Sequence, residues 1–287
     1  MNTPEKLSNK VGQVGHREDF RHLSISDCEK LEILPETVGQ LERLKYLGIG
    51  GCPNLKVLPD SIGQLKCLQR LKIMGCEKLE TLSETLGELE SLFTLEIRDC
   101  PNLTSLPMSL GKLKCLHSLI IGRANLKALP EDVGTLERLF DLRIMGCEKL
   151  ETLPETLGKL ESLKILEIRD FPNLTSLLMS LGKLKCLYSL IIGRANLKAL
   201  PEDVRTLERL SDLRIMGCEK LEMLLESLGR LELSHLEIRS CVNLKAVPTS
   251  LKLDEVQTLI IVDCQYLKSV TQRPKVEIGL VHVLVVF

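Results

Sequence analysis

Tryptophan is absent from this 287-residue chain, and aromatic residues make up only 3% of it. A globule of this length normally fills one central core with large rings. A core assembled from many small layers of leucine and isoleucine has no such need, so the shortage points away from a single globular core. Excess charge of either sign is also missing. Thirty-eight Lys and Arg face 39 Asp and Glu, a formal net charge of −1, which leaves no bulk electrostatic case for nucleic acid or an acidic membrane. No apolar run reaches the roughly 20 residues of a membrane span. The opening stretch MNTPEKLSNKVGQVGHREDF does not resemble a secretory signal, so a cytoplasmic or nuclear setting is expected. Histidine is sparse: the five residues, His16, His22, His117, His235 and His282, stand in no metal or triad spacing. There is no GxxxxGK[ST] phosphate loop. The expectation is a chain with no catalytic residues, no cofactor and no metal.

What the sequence does contain is a repeat. Starting at Leu44, LKYLGIGGCPNLKVLPDSIGQLKC follows the pattern LxxLxIxxCxxLxxLPxxLGxLxx. Repeats of 23 or 24 residues begin at Phe20, Leu44, Leu68, Leu92, Leu116, Leu139, Leu163, Leu187, Leu210, Leu233 and Val256, giving eleven in phase. Residues 1–19 hold a degenerate half-repeat, residues 20–273 the eleven repeats, and residues 274–287 an atypical end that no longer follows the pattern. The alternation in LxxLxI predicts a short strand. The Cys that follows ends the strand, with its small apolar body buried and its weak S–H donor turned to a backbone carbonyl. Proline lacks an N–H, so the Leu-Pro arm is expected to be extended or a single 3₁₀ turn. One repeat cannot bury its own leucines, and stacking is what builds the core. All 11 Cys are read as reduced core thiols that mark repeat positions, not a disulfide framework.

Above this period lies a longer one. Residues 72–142 and 143–213 align without gaps over 71 positions and differ at ten. A three-repeat block has been copied.

The Cys-turn half, as in Leu142-Arg143-Ile144-Met145-Gly146-Cys147-Glu148-Lys149-Leu150, is followed by Leu153-Pro154-Glu155-Thr156-Leu157-Gly158-Lys159-Leu160. Together they resemble the leucine-rich-repeat region of plant intracellular nucleotide-binding immune receptors. The Leu-Pro-x-x-Leu-Gly-x-Leu half alone also resembles Ras-group leucine-rich-repeat signalling scaffolds. The resemblance implies an α/β-type solenoid: a leucine-rich-repeat horseshoe with a parallel inner β-sheet of about eleven strands and an irregular or 3₁₀ outer face. It implies recognition of a protein ligand on the inner face, in plant defence and disease-resistance signalling, and an adjacent nucleotide-binding domain in a longer parent chain. The alternatives are a signalling scaffold around a small GTPase and an engineered array without a ligand.

Two rows of side chains are candidates for that recognition. The second position of each repeat places Phe93, His117, Phe140, Lys164 and Tyr188 along one rim of the strands. Large rings are enriched at binding hot spots. The third, fifth, seventh and eighth positions carry nine basic and nine acidic residues, among them Glu96, Arg98, Asp99, Arg143, Glu167, Arg169 and Asp170. Strands about 4.8 Å apart should pair Lys72 with Glu96, Arg143 with Glu167 and Arg214 with Glu237 across the ladder. Such interleaved charge reads either as a self-neutralising ladder or as a patterned docking strip, and it argues against phosphate backbones.

Overall fold

The computed structural model describes residues 20–252 and 256–267, and the backbone of 282–286. The degenerate half-repeat at 1–19 and most of the atypical end lie outside the described residues. The chain divides into two compact units, 1–149 and 150–287. The first holds six strands: β1 (His22–Ser26), β2 (Tyr46–Gly50), β3 (Arg70–Met74), β4 (Thr94–Cys100), β5 (Ser118–Ala124) and β6 (Asp141–Met145). The second holds β7 (Ile165–Phe171), β8 (Ser189–Ala195), β9 (Asp212–Met216), β10 (His235–Arg239), β11 (Thr258–Val262) and β12 (His282–Val286). Within each unit neighbouring strands pair in parallel, in chain order and in repeat register, Leu47 against Leu71 and Ile49 against Ile73, Leu190 against Leu213 and Ile192 against Ile215. β1 to β11 are the eleven strands of the repeat. β12 falls in the atypical end and pairs with β11, again in parallel.

From β2 to β11 every repeat strand buries its two central apolar side chains on one side, while in β1 Ile25 is buried and Leu23 half-buried, and the next turns deliver the remaining leucines to the same layer. Leu44, Leu47, Ile49, Cys52, Leu55, Leu58, Ile62 and Leu65 of one repeat are each no more than 1% exposed. A fully buried Leu or Ile contributes about 1.5–3 kcal/mol, so each layer is held by apolar area, not by polar contacts. The largest fully buried side chain, Phe171, takes the position that Cys fills in most repeats.

The return arms are 3₁₀ turns: η1 (Glu36–Gln40), η2 (Asp60–Gln64), η3 (Glu84–Glu88), η4 (Met108–Lys112) and η5 (Glu131–Thr135) in the first unit. The second has η6 (Glu155–Lys159), η7 (Met179–Lys183), η8 (Glu202–Thr206) and η9 (Glu226–Arg230). The residue before each is extended, and where it is proline, as at Pro59 (φ −68°, ψ 153°), the ring already holds the required φ. The Gly of Leu-Gly-x-Leu is there for space. A Cβ at Gly111 would lie 2.4 Å from the Asp132 carbonyl oxygen of the next layer, and one at Gly182 would lie 2.4 Å from the equivalent Asp203 oxygen. In η8 this position is Arg205, and η8 and η9 pack less closely than any other successive turns within the units. Adjacent turns are also tied by a carboxylate. Glu84 accepts from the Met108 and Ser109 N–H groups at 3.0 and 2.9 Å, and Glu155 from Met179 and Ser180 at 2.7 and 2.8 Å.

The eighth position of all eleven repeats has a left-handed backbone, with φ between 46° and 64°. Four repeats use Gly there; the others use Asp, Ser or Arg, which carry the strain of a Cβ in that region. This kink ends the strand and turns the ninth side chain into the core. There the Cys thiols donate to the carbonyl two residues back, Cys100 to Arg98 at 3.3 Å and Cys52 to Gly50 at 3.4 Å. Burial pushes the Cys147 thiol up to about 11, so it stays protonated and inert. The expectation for cysteine is corrected in part. All eleven are free thiols, but eight are buried at the ninth position, while Cys67 is exposed and Cys115 and Cys186 are half-buried. Those three precede the first Leu of a repeat, where the side chain does not face the core.

Candidate functional site

Opposite the leucine core, the third, fifth and seventh residues of each repeat form a face, bordered at its N-terminal rim by the second position. In the first unit the rim is continuous in the backbone. The Phe93 N–H donates to Gln69, His117 to Phe93 and Phe140 to His117, at 2.8–2.9 Å. The rings follow the ladder. Phe93 and His117 stack with centroids 4.1 Å apart and planes 14° apart, and His117 Nδ1 lies 2.8 Å from the Cys115 carbonyl oxygen. Phe93 is 49% and Phe140 38% exposed. In the second unit Tyr188 is 52% exposed, and its N–H donates to Lys164. These rings are outside the core, and what they contribute there is apolar area open to a ligand.

Expected cross-strand rungs form at Lys72–Glu96 and Arg214–Glu237, and the arginines also make closer contacts along their own strands. Lys72 does reach Glu96 across the ladder, at 3.3 Å. The arginines mostly turn back along their own strand. Arg98 Nε meets Glu96 at 2.6 Å, Arg143 meets Asp141 at 2.8 Å, Arg169 meets Glu167 at 2.6 Å, and Arg214 meets Asp212 at 2.9 Å against 3.9 Å to Glu237. For Arg98 and Arg169 glycine is the cause: a Cβ at Gly122 would sit 3.4 Å from Arg98 Cγ, and one at Gly193 3.0 Å from Arg169 Cγ. Each guanidinium stem lies over a bare neighbouring strand, which directs Nε to the carboxylate two residues back. At the eighth position Arg123 meets Asp99 at 3.1 Å, and Arg194 meets Asp170. Glu96 is thus shared by two cations, and Glu167 is only 6% exposed. This is a self-neutralising ladder. Its exposed pairs contribute about 0.2–1 kcal/mol each.

Two clusters were missed in the sequence. In the second unit, His235 stands between Glu237 (3.5 Å) and Asp212 (4.0 Å), with Arg214 and Arg239 on the same carboxylates. In the first, Arg70 lies over the Tyr46 ring, 5.5 Å from its centroid, and His22 is tilted against the same ring at 6.0 Å. The available signal was Gly48, two residues after Tyr46: an added Cβ there would come within 2.7 Å of the Tyr46 hydroxyl, so the missing side chain is what lets the ring lie down on the strand. A cavity of about 210 Å³ lies instead beside Leu231–Ser234, where one residue has been lost from the repeat; it holds no reactive cluster. Among the described residues no three His, Cys, Asp or Glu gather to hold a metal ion, and no helix is long and apolar enough to cross a membrane.

Stacked parallel strands, 3₁₀ return arms and leucine layers define a leucine-rich-repeat solenoid. Known structures share it. A leucine-rich-repeat protein of Leptospira interrogans matches with a TM-score of 0.58 at 22% identity, over 88% of this chain and 80% of that one. The leucine-rich-repeat domain of the type III effector XopL matches with 0.60 at 23% identity, over 90% and 82%. An internalin of Listeria monocytogenes matches with 0.57 at 14% identity, over 94% and 95%. At these identities the likeness is one of fold. No protein-family model matches the sequence, and no curated protein does.

Proposed function

We propose that this chain is a non-catalytic recognition module that binds another protein on its strand face, and that its setting is cytoplasmic or nuclear immune sensing of the plant nucleotide-binding leucine-rich-repeat type. One observation carries the first half. Exposed rings, the stacked Phe93–His117 pair above all, border a face whose charges are already paired with one another. A surface of that kind offers desolvated contact from its rings and orientation from its fixed charges. The immune setting rests on the repeat itself, in which the Cys turn and the Leu-Pro-x-x-Leu-Gly-x-Leu arm occur together. In that setting Phe93, Phe140 and Tyr188 are the contact rings, and Glu96, Arg98, Asp99, Arg143, Glu167, Arg169 and Asp170 orient the partner.

The test is site-directed photo-crosslinking in the source cells. A photoreactive residue at Phe93 should capture one discrete protein. The same residue at Met108, exposed on η4 at the return arm, should not. Equal capture from both positions would contradict a strand-face site.

A further inference from the structure

Eight of the nine basic residues that the sequence places on the strand face have a carboxylate partner. The ninth, Arg70, has none among the described residues. It is exposed, and its guanidinium lies on the Tyr46 ring. Glu96, on the neighbouring strand β4, already serves Lys72 and Arg98. A face whose other basic residues are all paired leaves one positive group open, resting over an aromatic ring.

The surroundings are low at the Gly50 end. β1 presents Ser24 and Ser26, and on β2 Gly48 is buried beneath the Tyr46 ring while nothing lies within 4 Å of a Cβ placed on Gly50. β3 and β4 rise beside them with Lys72, Met74 and Arg98. A peptide main chain can therefore approach β2 closely at the foot of this step. A planar guanidinium stacked on one face keeps its edge donors free, and those donors match a carboxylate in a bidentate fork.

We propose that the Tyr46–Arg70 platform is the seat of an acidic, extended segment of a protein partner, with Arg70 taking a side-chain carboxylate and Tyr46 holding the guanidinium flat. The proposal rests on the strand face being the recognition surface. It adds where on that face the ligand's negative charge goes.

Fluorescence anisotropy at low ionic strength tests it on the full chain, with a fluorescein-labelled alternating Glu-Gly octapeptide as probe and the Lys-Gly octapeptide as control. The Glu-Gly peptide should bind and the Lys-Gly peptide should not. Arg70→Gln should weaken binding about tenfold or more. Arg70→Lys should restore little of it, because an ammonium neither forks nor stacks as a plane. Gly48→Val, which displaces the Tyr46 ring, should weaken it as well. Arg239→Gln removes the same charge from a paired site that has no part in recognition and should have little effect. Equal weakening by Arg70→Gln and Arg239→Gln would show general charge attraction and overturn the proposal. So would absence of binding to the parent chain, or displacement of the peptide by inorganic phosphate but not by chloride at matched ionic strength. If the peptide fails while crosslinking through Phe93 persists, this inference alone falls. If both fail, the strand-face reading falls with it.

Discussion

The block from Lys72 to Leu142 and the block from Arg143 to Leu213 are two copies of one 71-residue segment that differ at ten positions. Their local structures match element for element. Thr94–Cys100 and Ile165–Phe171 are both seven-residue strands, and Met108–Lys112 and Met179–Lys183 are both 3₁₀ turns. The turn survives the loss of its proline: Leu178 adopts φ −60° and ψ 139° where Pro107 has −64° and 143°. The leucine layers therefore fix the backbone, and the remaining positions are free to change. Several of the differences fall on the rim and face, including Phe93 against Lys164, His117 against Tyr188 and Phe140 against Ser211. The same scaffold displays two different surfaces.

Two differences that touch packing, Cys100 against Phe171 and Gly134 against Arg205, and two features both copies keep, the glycine at Gly111 and Gly182 and the carboxylate at Glu84 and Glu155, allow the comparison to be broken by experiment. The largest effect is expected at the ninth position. Phe171→Ala should destabilise by about 3–5 kcal/mol, whereas Cys100→Ala should cost about 1 kcal/mol, with the sulfur counted as one methylene. Equal costs in chemical denaturation would mean that Phe171 has no layer of its own to fill.

Next comes the close-approach glycine. Gly111→Ala should cost about 1–3 kcal/mol by overpacking against Asp132, read from the same denaturation curves. Arg205→Gly, in η8, which already packs loosely against η9, should cost little or nothing. A neutral Gly111→Ala would show that the outer turns are not packed to their limit.

The smallest stability effect should come from the inter-turn carboxylates. Glu84 is held below the usual carboxylate range, foremost by the Ser109 N–H. For Glu155, burial acts in the opposite direction, and the N–H groups of Met179 and Ser180 outweigh it. Both have a depressed folded pKa, so their stabilisation is present above the unfolded value, about 4.3, and is lost as pH falls through the folded value. Urea midpoints measured between neutral and acid pH should therefore fall less steeply for Glu84→Gln than for the parent. Parallel slopes would mean that the carboxylate does not link the layers.

The strands, leucine layers and 3₁₀ arms were legible in the sequence because burial repeats at fixed spacing, and eleven copies reinforce one pattern. The pairing of Arg98 and Arg169 along their own strands was not. Strand spacing alone favours the cross-strand carboxylate, but Gly122 and Gly193 let the stems of Arg98 and Arg169 lie down, which turns Nε along the strand. The left-handed eighth position was hidden because Gly, Asp, Ser and Arg all occupy it, so composition carries no signature. Cys67, Cys115 and Cys186 were misplaced because counting cysteines together ignored that they stand at a different repeat position. The rim rings were found because they break a position otherwise filled by polar residues. The Tyr46–Arg70 platform was not, since it depends on the absence of a side chain at Gly48.

The central claim is that leucine layers make the fold while the rim makes the recognition surface. Converting the first block's rim to that of the second, with Phe93→Lys, His117→Tyr and Phe140→Ser together, tests it directly. Thermal melting and photo-crosslinking from an adjacent face position, Thr94, would be read on the same protein. The account predicts an unchanged melting temperature and loss of the crosslinked partner. A collapse in melting would place the rings in the core, and undiminished crosslinking would place the recognition surface elsewhere; either result would contradict it.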